Sequence, residues 1–170
     1  MRSRTSWSSI LIWLAIATGV ILVISLQPRL RSGPIVLVRH AEKVDSSKDA
    51  ALNPAGEARA ARLAEVLGSF GIQTIYTSEY KRTAQTAQPL AQRLGLTPIV
   101  IQATDQGGLL QQLPKAPRPA LIVGHGDTVP ALIKQLGVRE PVEIAGDDFG
   151  NIYVVVPHLM GPPTLLHLRY

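Results

Sequence analysis

Short apolar runs alternate with helical patterns from residue 34 to the C-terminus. Four of these runs are rich in β-branched residues, which is typical of buried strands. The predicted strands lie at 35–38, 72–77, 98–101 and 120–123. Two further runs, at 152–156 and 163–168, have no helical pattern between them and predict an antiparallel pair at the edge of the sheet. Asp147 and Asp148, just before this pair, predict a solvated turn.

Helix signals occupy the segments between the predicted strands. Asn53 and Pro54 place an N-cap residue before a proline at the first helical position, and apolar residues then recur on one face to about Ser69. The other predicted helices run over 79–94, from Asp105 to Leu113, and from Asp127 or Thr128 to Leu136. Strands and helices in alternation predict an α/β fold with a layered, mostly parallel sheet, and residues 33–170 are enough for one core of this kind.

The N-terminal region differs in composition, because no charged residue occurs between Trp7 and Leu26. Twenty helical residues span about 30 Å, which is the thickness of the hydrocarbon core of a bilayer. We therefore expect the chain to divide into a basic stub, an uncleaved transmembrane helix or signal anchor, a linker and a globular domain. These segments lie at 1–6, 7–26, 27–33 and 34–170 respectively.

A cleavable signal peptide is the alternative for the same stretch. Arg2 and Arg4 would form its basic region, and Val23-Ile24-Ser25 is a weak cleavage site. A short N-terminal stub before a C-terminal domain favours placing the domain outside the cytoplasm. The expected product is a single-pass membrane protein with its domain on the extracytoplasmic side, or a secreted or periplasmic protein after cleavage.

The charge of the chain is basic but does not indicate a nucleic-acid partner. Four of the five formal net positive charges are arginines around the predicted anchor, at positions 2, 4, 29 and 31. Residues 33–170 carry a formal +1 and no basic run with interleaved aromatic residues, which nucleic-acid binding would require. The absence of cysteine excludes disulfides, thiolate chemistry and a cysteine nucleophile.

Charged and polar side chains follow three of the predicted strands. Arg39 and His40 come directly after the first strand, His125 follows the fourth, and Arg82 comes shortly after the second. Ligands bind outside the carboxyl ends of the strands in open α/β sheets, so we expect these side chains at one edge. Arg82 also lies in the first turn of a predicted helix, whose N-terminus attracts anions. Two imidazoles and two guanidinium groups at one edge predict an anion site.

A phosphoryl group is an anion that suits these residues. Its transfer spreads negative charge over the equatorial oxygens, which fixed cations stabilise. Arg39 and Arg82 are permanently charged, and each can meet two oxygens at once. Neutral imidazole is a competent nucleophile, so His40 is a candidate for attack on phosphorus and His125 for a hydrogen bond to the transferred oxygens.

Four short motifs resemble those of the histidine phosphatase superfamily. Arg39-His40-Ala41-Glu42 is similar to its RHG or RHA signature, and three later segments are similar to its other motifs in the family's order. These segments lie at 52–60, 78–87 and 123–128. The resemblance implies a phosphoglycerate mutase-like fold, which is a three-layer α/β/α sandwich, in a small single-domain branch of the family.

The same resemblance implies an activity and a site. The chain is expected to be a phosphoric monoester hydrolase of the histidine acid phosphatase type, acting on a phosphorylated small molecule or a phosphoprotein without a cofactor or metal. His40 would be the phosphorylated nucleophile. Arg39, Arg82 and His125 would bind the phosphate.

The general acid is the point at which the sequence departs from the family. Members commonly have a carboxylate some way after the arginine of the second motif, where Asp105 is the nearest candidate. The acid-phosphatase branch has an aspartate directly after the last histidine, but this chain has Gly126 there. Asp127 comes one residue later and is interpreted as a helix N-cap. Glu42 is a third candidate.

Two other functions fit the same residues. A metal hydrolase would use His40 with Glu42 and His125 with Asp127 as ligand pairs, although Arg39 beside them would repel the cation. Resistance of the activity to a chelator would exclude it. The other alternative is a non-catalytic, membrane-tethered module that binds a phosphorylated ligand, which absence of turnover of an activated aryl phosphate would favour.

Overall fold

Six strands form one mixed sheet in the computed structural model, which describes residues 33–170. They are β1 (Ile35–Arg39), β2 (Thr74–Thr77), β3 (Ile99–Val100), β4 (Ala120–Gly124), β5 (Asn151–Val156) and β6 (Thr164–Arg169). Their order across the sheet is β3-β2-β4-β1-β5-β6. Strands β1 to β4 are parallel, whereas β5 and β6 form an antiparallel pair beside β1. The predicted α/β fold with a mostly parallel sheet and an antiparallel edge is confirmed.

Four α-helices connect the strands of this region. They are α1 (Pro54–Leu67), α2 (Lys81–Leu94), α3 (Gln106–Gln112) and α4 (Thr128–Gln135), and a 3-10 turn at Leu113–Lys115 follows α3. Helix α1 begins where predicted, because the Asn53 side chain accepts a hydrogen bond from the backbone N–H of Gly56. Helix α2 begins two residues later than predicted, since Tyr80 is still extended, with φ −85° and ψ 141°.

Helices cover both faces of the sheet. Ile35 and Leu37 of β1 lie in one apolar cluster with residues of α3 and α4, whereas Val36 and Val38 lie in another with residues of α1 and α2. Successive side chains of a strand point to opposite faces, so burial of four consecutive apolar residues requires a layer on each side. The described residues therefore form the three-layer α/β/α arrangement that the family resemblance implies.

Neighbouring parallel strands end at one edge of the sheet. Arg39 of β1 pairs with Gly124 of β4, and Thr77 of β2 pairs with Val123 of β4. The backbone N–H of His40 still donates to the Gly124 carbonyl at 2.9 Å. The residues that follow β1, β2 and β4 therefore leave the sheet at the same level and side by side.

The N-terminal predictions fall on residues outside the described range. These residues are the stub at 1–6, the membrane segment at 7–26 and the linker up to Ser32. Among residues 33–170, no helix has both the length and the apolar character needed to cross a bilayer. Residues Gly33–Tyr170 form one compact unit.

Candidate active site

His40 leaves the end of β1 and is only 4% exposed. Its Nδ1 lies 2.8 Å from the carbonyl oxygen of Ala41. A carbonyl can only accept, so Nδ1 carries the proton and Nε2 keeps its lone pair. Burial is the main cause that lowers the pKa of His40 from 6.5 to about 4, and nearby His125 and Arg82 act in the same direction. At neutral pH the ring is therefore uncharged and Nε2 is its basic atom.

His125 lies at the end of β4, with its ring centroid 5.4 Å from that of His40. Its Nδ1 is 3.3 Å from an Arg82 Nη atom, which can only donate. The proton of neutral His125 is therefore on Nε2, which lies 3.1 Å from Ser78 Oγ. Burial first, and then Arg82, lowers the pKa of His125 to about 4. The structure thus brings together two neutral imidazoles of opposite tautomer.

Hydroxyl groups that follow β2 support His125. Ser78 Oγ accepts from His125 Nε2 and lies 2.9 Å from Thr83 Oγ1. The Thr83 hydroxyl in turn lies 2.9 Å from the Tyr80 carbonyl, to which it donates. A second threonine, Thr86, accepts from the backbone N–H of the residue after His40 at 2.9 Å. The sequence motifs include Ser78 and Thr83 but assign them no role, because a buried hydroxyl relay is visible only once β2 and β4 are neighbours.

Arg82 lies in the first turn of α2 beneath the loop that connects β1 to α1. Its Nη1 donates to the Lys48 carbonyl at 2.7 Å, and its Cζ lies 4.3 Å from the Tyr80 ring centroid. Asp49 of the same loop accepts from the backbone N–H of Lys81 at 2.8 Å. Arg82 Nε is buried and has no hydrogen-bond partner within residues 33–170. The guanidinium group is therefore held at one edge and keeps an unused donor near His125.

Arg39 is held by the segment that precedes β5. Its Nη1 donates to the carbonyls of Ala145 at 2.7 Å and Asp148 at 3.3 Å, and its Nη2 donates to that of Gly146 at 3.0 Å. Its Cζ lies 4.2 Å from the Phe149 ring centroid. The turn predicted at Asp147 and Asp148 is present, since residues 146–147 form a turn and Asp147 is exposed, and the backbone carbonyls of this segment also bind Arg39. We call residues 145–149 the strap.

The three candidate acids all have hydrogen-bond partners in the structure. Glu42 accepts from Arg59 Nε at 2.9 Å through both oxygens, and this hydrogen-bonded ion pair lowers the pKa of Glu42. A carboxyl group held ionised in this way cannot supply a proton at neutral pH, which argues against Glu42 as the acid. Asp105 and Asp127 each accept a backbone N–H at 2.8 Å at the starts of α3 and α4.

Asp105 also lies on the wall of a pocket next to His125. The pocket opens between the ends of β2 and β4 and helix α3, and its wall includes Ser78 and Thr77. Asp105 is itself exposed, and it shares the pocket wall with His125. Within residues 33–170, no three His, Asp or Glu side chains converge as a metal site.

The pKa values of the two imidazoles predict how the free protein responds to acid. Both pKa values lie near 4 in the folded state, below the ordinary 6.5, so the unfolded chain binds protons more tightly. The contribution of these two imidazoles to the free energy of unfolding is therefore fully present above pH 6.5 and is lost as the pH falls towards 4. NMR titration of the imidazole C–H resonances, with a His40→Asn variant for assignment, should show two transitions near pH 4. Titration of both buried rings near pH 6.5 would contradict this expectation.

A protein-family model matches part of this chain. Residues 35–104 match the model of the Histidine phosphatase superfamily (branch 1). This range includes three of the four motifs quoted above, so the predicted resemblance is confirmed there. No curated protein sequence matches the chain.

Solved structures of phosphatases share the fold. Protein histidine phosphatase SixA, complexed with tungstate, has a TM-score of 0.65 at 19% identity over 80% of this chain and 96% of its own. The putative phosphohistidine phosphatase SixA from Agrobacterium tumefaciens has a TM-score of 0.64 at 21% identity over 82% and 98%. A mycobacterial glucosyl-3-phosphoglycerate phosphatase with VO3 has a TM-score of 0.64 at 18% identity over 81% and 98%. At these identities the likeness establishes the fold.

Proposed function

We propose that this chain is a phosphatase of the histidine acid phosphatase type, which hydrolyses a phosphomonoester or a phosphoprotein through a phosphohistidine on His40. The observation that carries the proposal is the buried, neutral His40 ring with its Nε2 lone pair, next to His125, Arg39 and Arg82. A neutral imidazole is a nucleophile, whereas a protonated one is not. Burial therefore keeps His40 in its reactive form throughout the neutral range.

In the first step, His40 Nε2 attacks phosphorus. A nitrogen–phosphorus bond forms, and the bond from phosphorus to the leaving oxygen breaks with its electron pair going to that oxygen. The transferred oxygens would meet the unused Nε–H groups of Arg39 and Arg82. A bound dianion favours a charged imidazole, so substrate binding should raise the pKa of His125 and make Nδ1 a donor. One such donor to a developing oxyanion contributes about 3 kcal/mol.

In the second step, a water oxygen attacks the phosphorus of the phosphohistidine. The nitrogen–phosphorus bond breaks, its electron pair returns to His40 Nε2, and inorganic phosphate leaves. The leaving oxygen of the first step gains one proton and the water of the second step loses one, so the cycle balances. We assign both transfers to Asp105, which shares a pocket wall with His125, since Glu42 is paired with Arg59.

The covalent intermediate provides the direct test of this proposal. Brief mixing of the full chain with phosphate-labelled aryl phosphate, followed by an alkaline quench, should leave label on His40 in an acid-labile bond. A His158→Ala variant should label equally, because His158 is exposed and lies on the hairpin between β5 and β6. Turnover without labelled protein would instead indicate direct attack by water.

A phosphate-binding module without catalysis is the second candidate function. Its support is that Glu42 is paired with Arg59, and that Asp105 and Asp127 each accept a backbone N–H at the start of a helix. An activated aryl phosphate separates the two functions, because its good leaving group needs little protonation. Lack of turnover by the wild-type chain would favour the binding module. Turnover that survives in Asp105→Asn but not in His40→Ala would favour His40 catalysis with another proton donor.

The substrate class and the location of the protein rest on two other observations. The neighbours' names describe phosphatases of phosphohistidine and of glucosyl-3-phosphoglycerate, so we propose a phosphoprotein or a phosphorylated small molecule for this chain. We also propose a single-pass membrane protein with an extracytoplasmic catalytic domain, from the uncharged stretch at 7–26. The full chain should resist carbonate extraction from membranes. A soluble product that begins near residue 26 would favour the cleaved, secreted or periplasmic form.

A further inference from the structure

The hydrogen bonds of Arg39 leave one particular edge of its guanidinium group unused. The group has five N–H bonds in a fixed plane. Its Nη atoms direct three of them at the carbonyls of Ala145, Gly146 and Asp148. Nε is buried and has no partner among the described residues. The two remaining N–H bonds, on Nε and Nη2, form one adjacent edge.

This unused edge lies beside the catalytic histidines. A Cβ built at Gly126, the residue after His125, would lie 3.6 Å from Arg39 Nε, so the backbone there approaches the guanidinium group closely. Arg39 is also near enough to His40 to contribute to lowering the pKa of that ring. Two parallel N–H bonds on one edge match two oxygens of a phosphoryl group.

The ring of Phe149 lies against the guanidinium group of Arg39. The ring centroid lies 4.2 Å from Arg39 Cζ and 6.1 Å from the His40 ring centroid. The carbonyls of the strap fix the far edge of the guanidinium group, and the flat aromatic face fixes the tilt of its plane. An aromatic ring in this position also stabilises the cation.

The strap is itself tied to the last strand. Asp148 accepts from Arg169 Nη2 of β6 at 2.8 Å, and the Gly150 carbonyl accepts from the backbone N–H of Tyr170 at 3.1 Å. Strand β5, which begins at Asn151, pairs with β1. The strap is therefore anchored at its C-terminal end to the same sheet that holds His40.

We infer that Phe149 and the strap carbonyls are positioning groups, which present the Nε–Nη2 edge of Arg39 to two oxygens of the bound phosphoryl group. The inference rests on the proposed function for the identity of the ligand. It does not require that the bound group be turned over. Phe149 contacts the Arg39 guanidinium group and not the reacting atoms. Its effect on phosphate binding should therefore depend on Arg39.

Inorganic phosphate is the probe, and calorimetric titration of the full chain is the measurement. Phe149→Leu keeps an apolar side chain but removes the flat face, and we expect it to weaken phosphate binding about tenfold. Phe149→Tyr keeps the face and should restore wild-type binding. Phe70→Leu is the matched control, because Phe70 is the other phenylalanine of the chain and lies just after α1. It should leave phosphate binding unchanged.

A double-variant cycle separates positioning from general packing. In an Arg39→Lys background, Phe149→Leu should have little further effect, because a lysine presents no planar edge for the ring to orient. Wild-type binding by Phe149→Leu would overturn the inference, and so would an equal loss in the Arg39→Lys background. If the wild type binds phosphate but does not turn over an aryl phosphate, the proposed function fails and the cycle still decides the role of Phe149.

Discussion

Replacing His40 with alanine is expected to lower kcat for an aryl phosphate by at least about a thousandfold. The reason is that the substitution removes the only group proposed to form the covalent bond to phosphorus. The other groups of the site, Arg39, Arg82 and His125, remain in place and should still bind inorganic phosphate. Steady-state kinetics and calorimetric phosphate binding on the same preparation check both parts of the expectation.

The same substitution should also change how stability depends on pH. His40 is a buried imidazole whose pKa is held near 4, so unfolding takes up a proton at mildly acidic pH. The alanine variant lacks this group, and its stability should fall less steeply between pH 6.5 and pH 4. His158→Ala, at an exposed position, is the control for both measurements. A His40→Ala protein that keeps more than about a tenth of the wild-type kcat would refute His40 as the nucleophile.

Much of the fold could be predicted because buried parallel strands are apolar on both faces. The run at 35–38 is buried as expected, and β1 lies at the centre of the helical layers. The run at 98–101 shows the limit of this pattern. Only Ile99–Val100 pair as a strand, and these residues are 40% and 58% exposed, since β3 is at the edge and pairs with β2 alone. Apolar character predicts a strand but not its position in the sheet.

The histidines and arginines of the candidate site could be identified from the sequence, because each follows a predicted strand directly or lies at the start of the next helix. The strap could not be identified from the sequence, because it has no periodic pattern and contacts Arg39 across more than a hundred residues of chain. Its position depends on β5 joining the sheet next to β1, with Ile152 opposite Val38. The apolar pattern predicts that the last two strands pair but does not say which strand they join.

The ion-pair partner of Glu42 could not be predicted from the sequence for a similar reason. Arg59 lies on α1, seventeen residues further along, and it reaches Glu42 only because α1 begins against the backbone after His40. The sequence placed three carboxylates near the site but could not show that Glu42 is held ionised by Arg59. Helix α1 thus supplies the arginine whose hydrogen bond lowers the pKa of Glu42, and the close approach of the helix has a consequence for Gly56.

Gly56→Ala is expected to destabilise the domain by about 3 kcal/mol, which corresponds to a fall in Tm of roughly 10 °C. A Cβ built at Gly56 would overlap the carbonyl oxygen of Glu42 and lie 3.0 Å from the backbone nitrogen of the same residue. Backbone atoms cannot rotate away as the end of a flexible side chain can. The Glu42 carbonyl also accepts from the Asn53 N–H at 3.0 Å, so a shift of α1 would break this bond as well.

Glu42 is two residues after His40, so a shift of this backbone should also displace the His40 ring. We therefore expect Gly56→Ala to lower both the melting temperature and the activity of the folded protein. Thermal melting measures the first effect, and aryl phosphate turnover well below the melting temperature measures the second. Gly107→Ala is the matched control, because a Cβ at Gly107 of α3 meets no heavy atom within 4 Å. Alanine is the better helix former by up to about 1 kcal/mol, so the control should melt at or slightly above the wild-type temperature. Wild-type melting of Gly56→Ala would mean that α1 can move away from Glu42 at little cost, and the close contact would then not position His40.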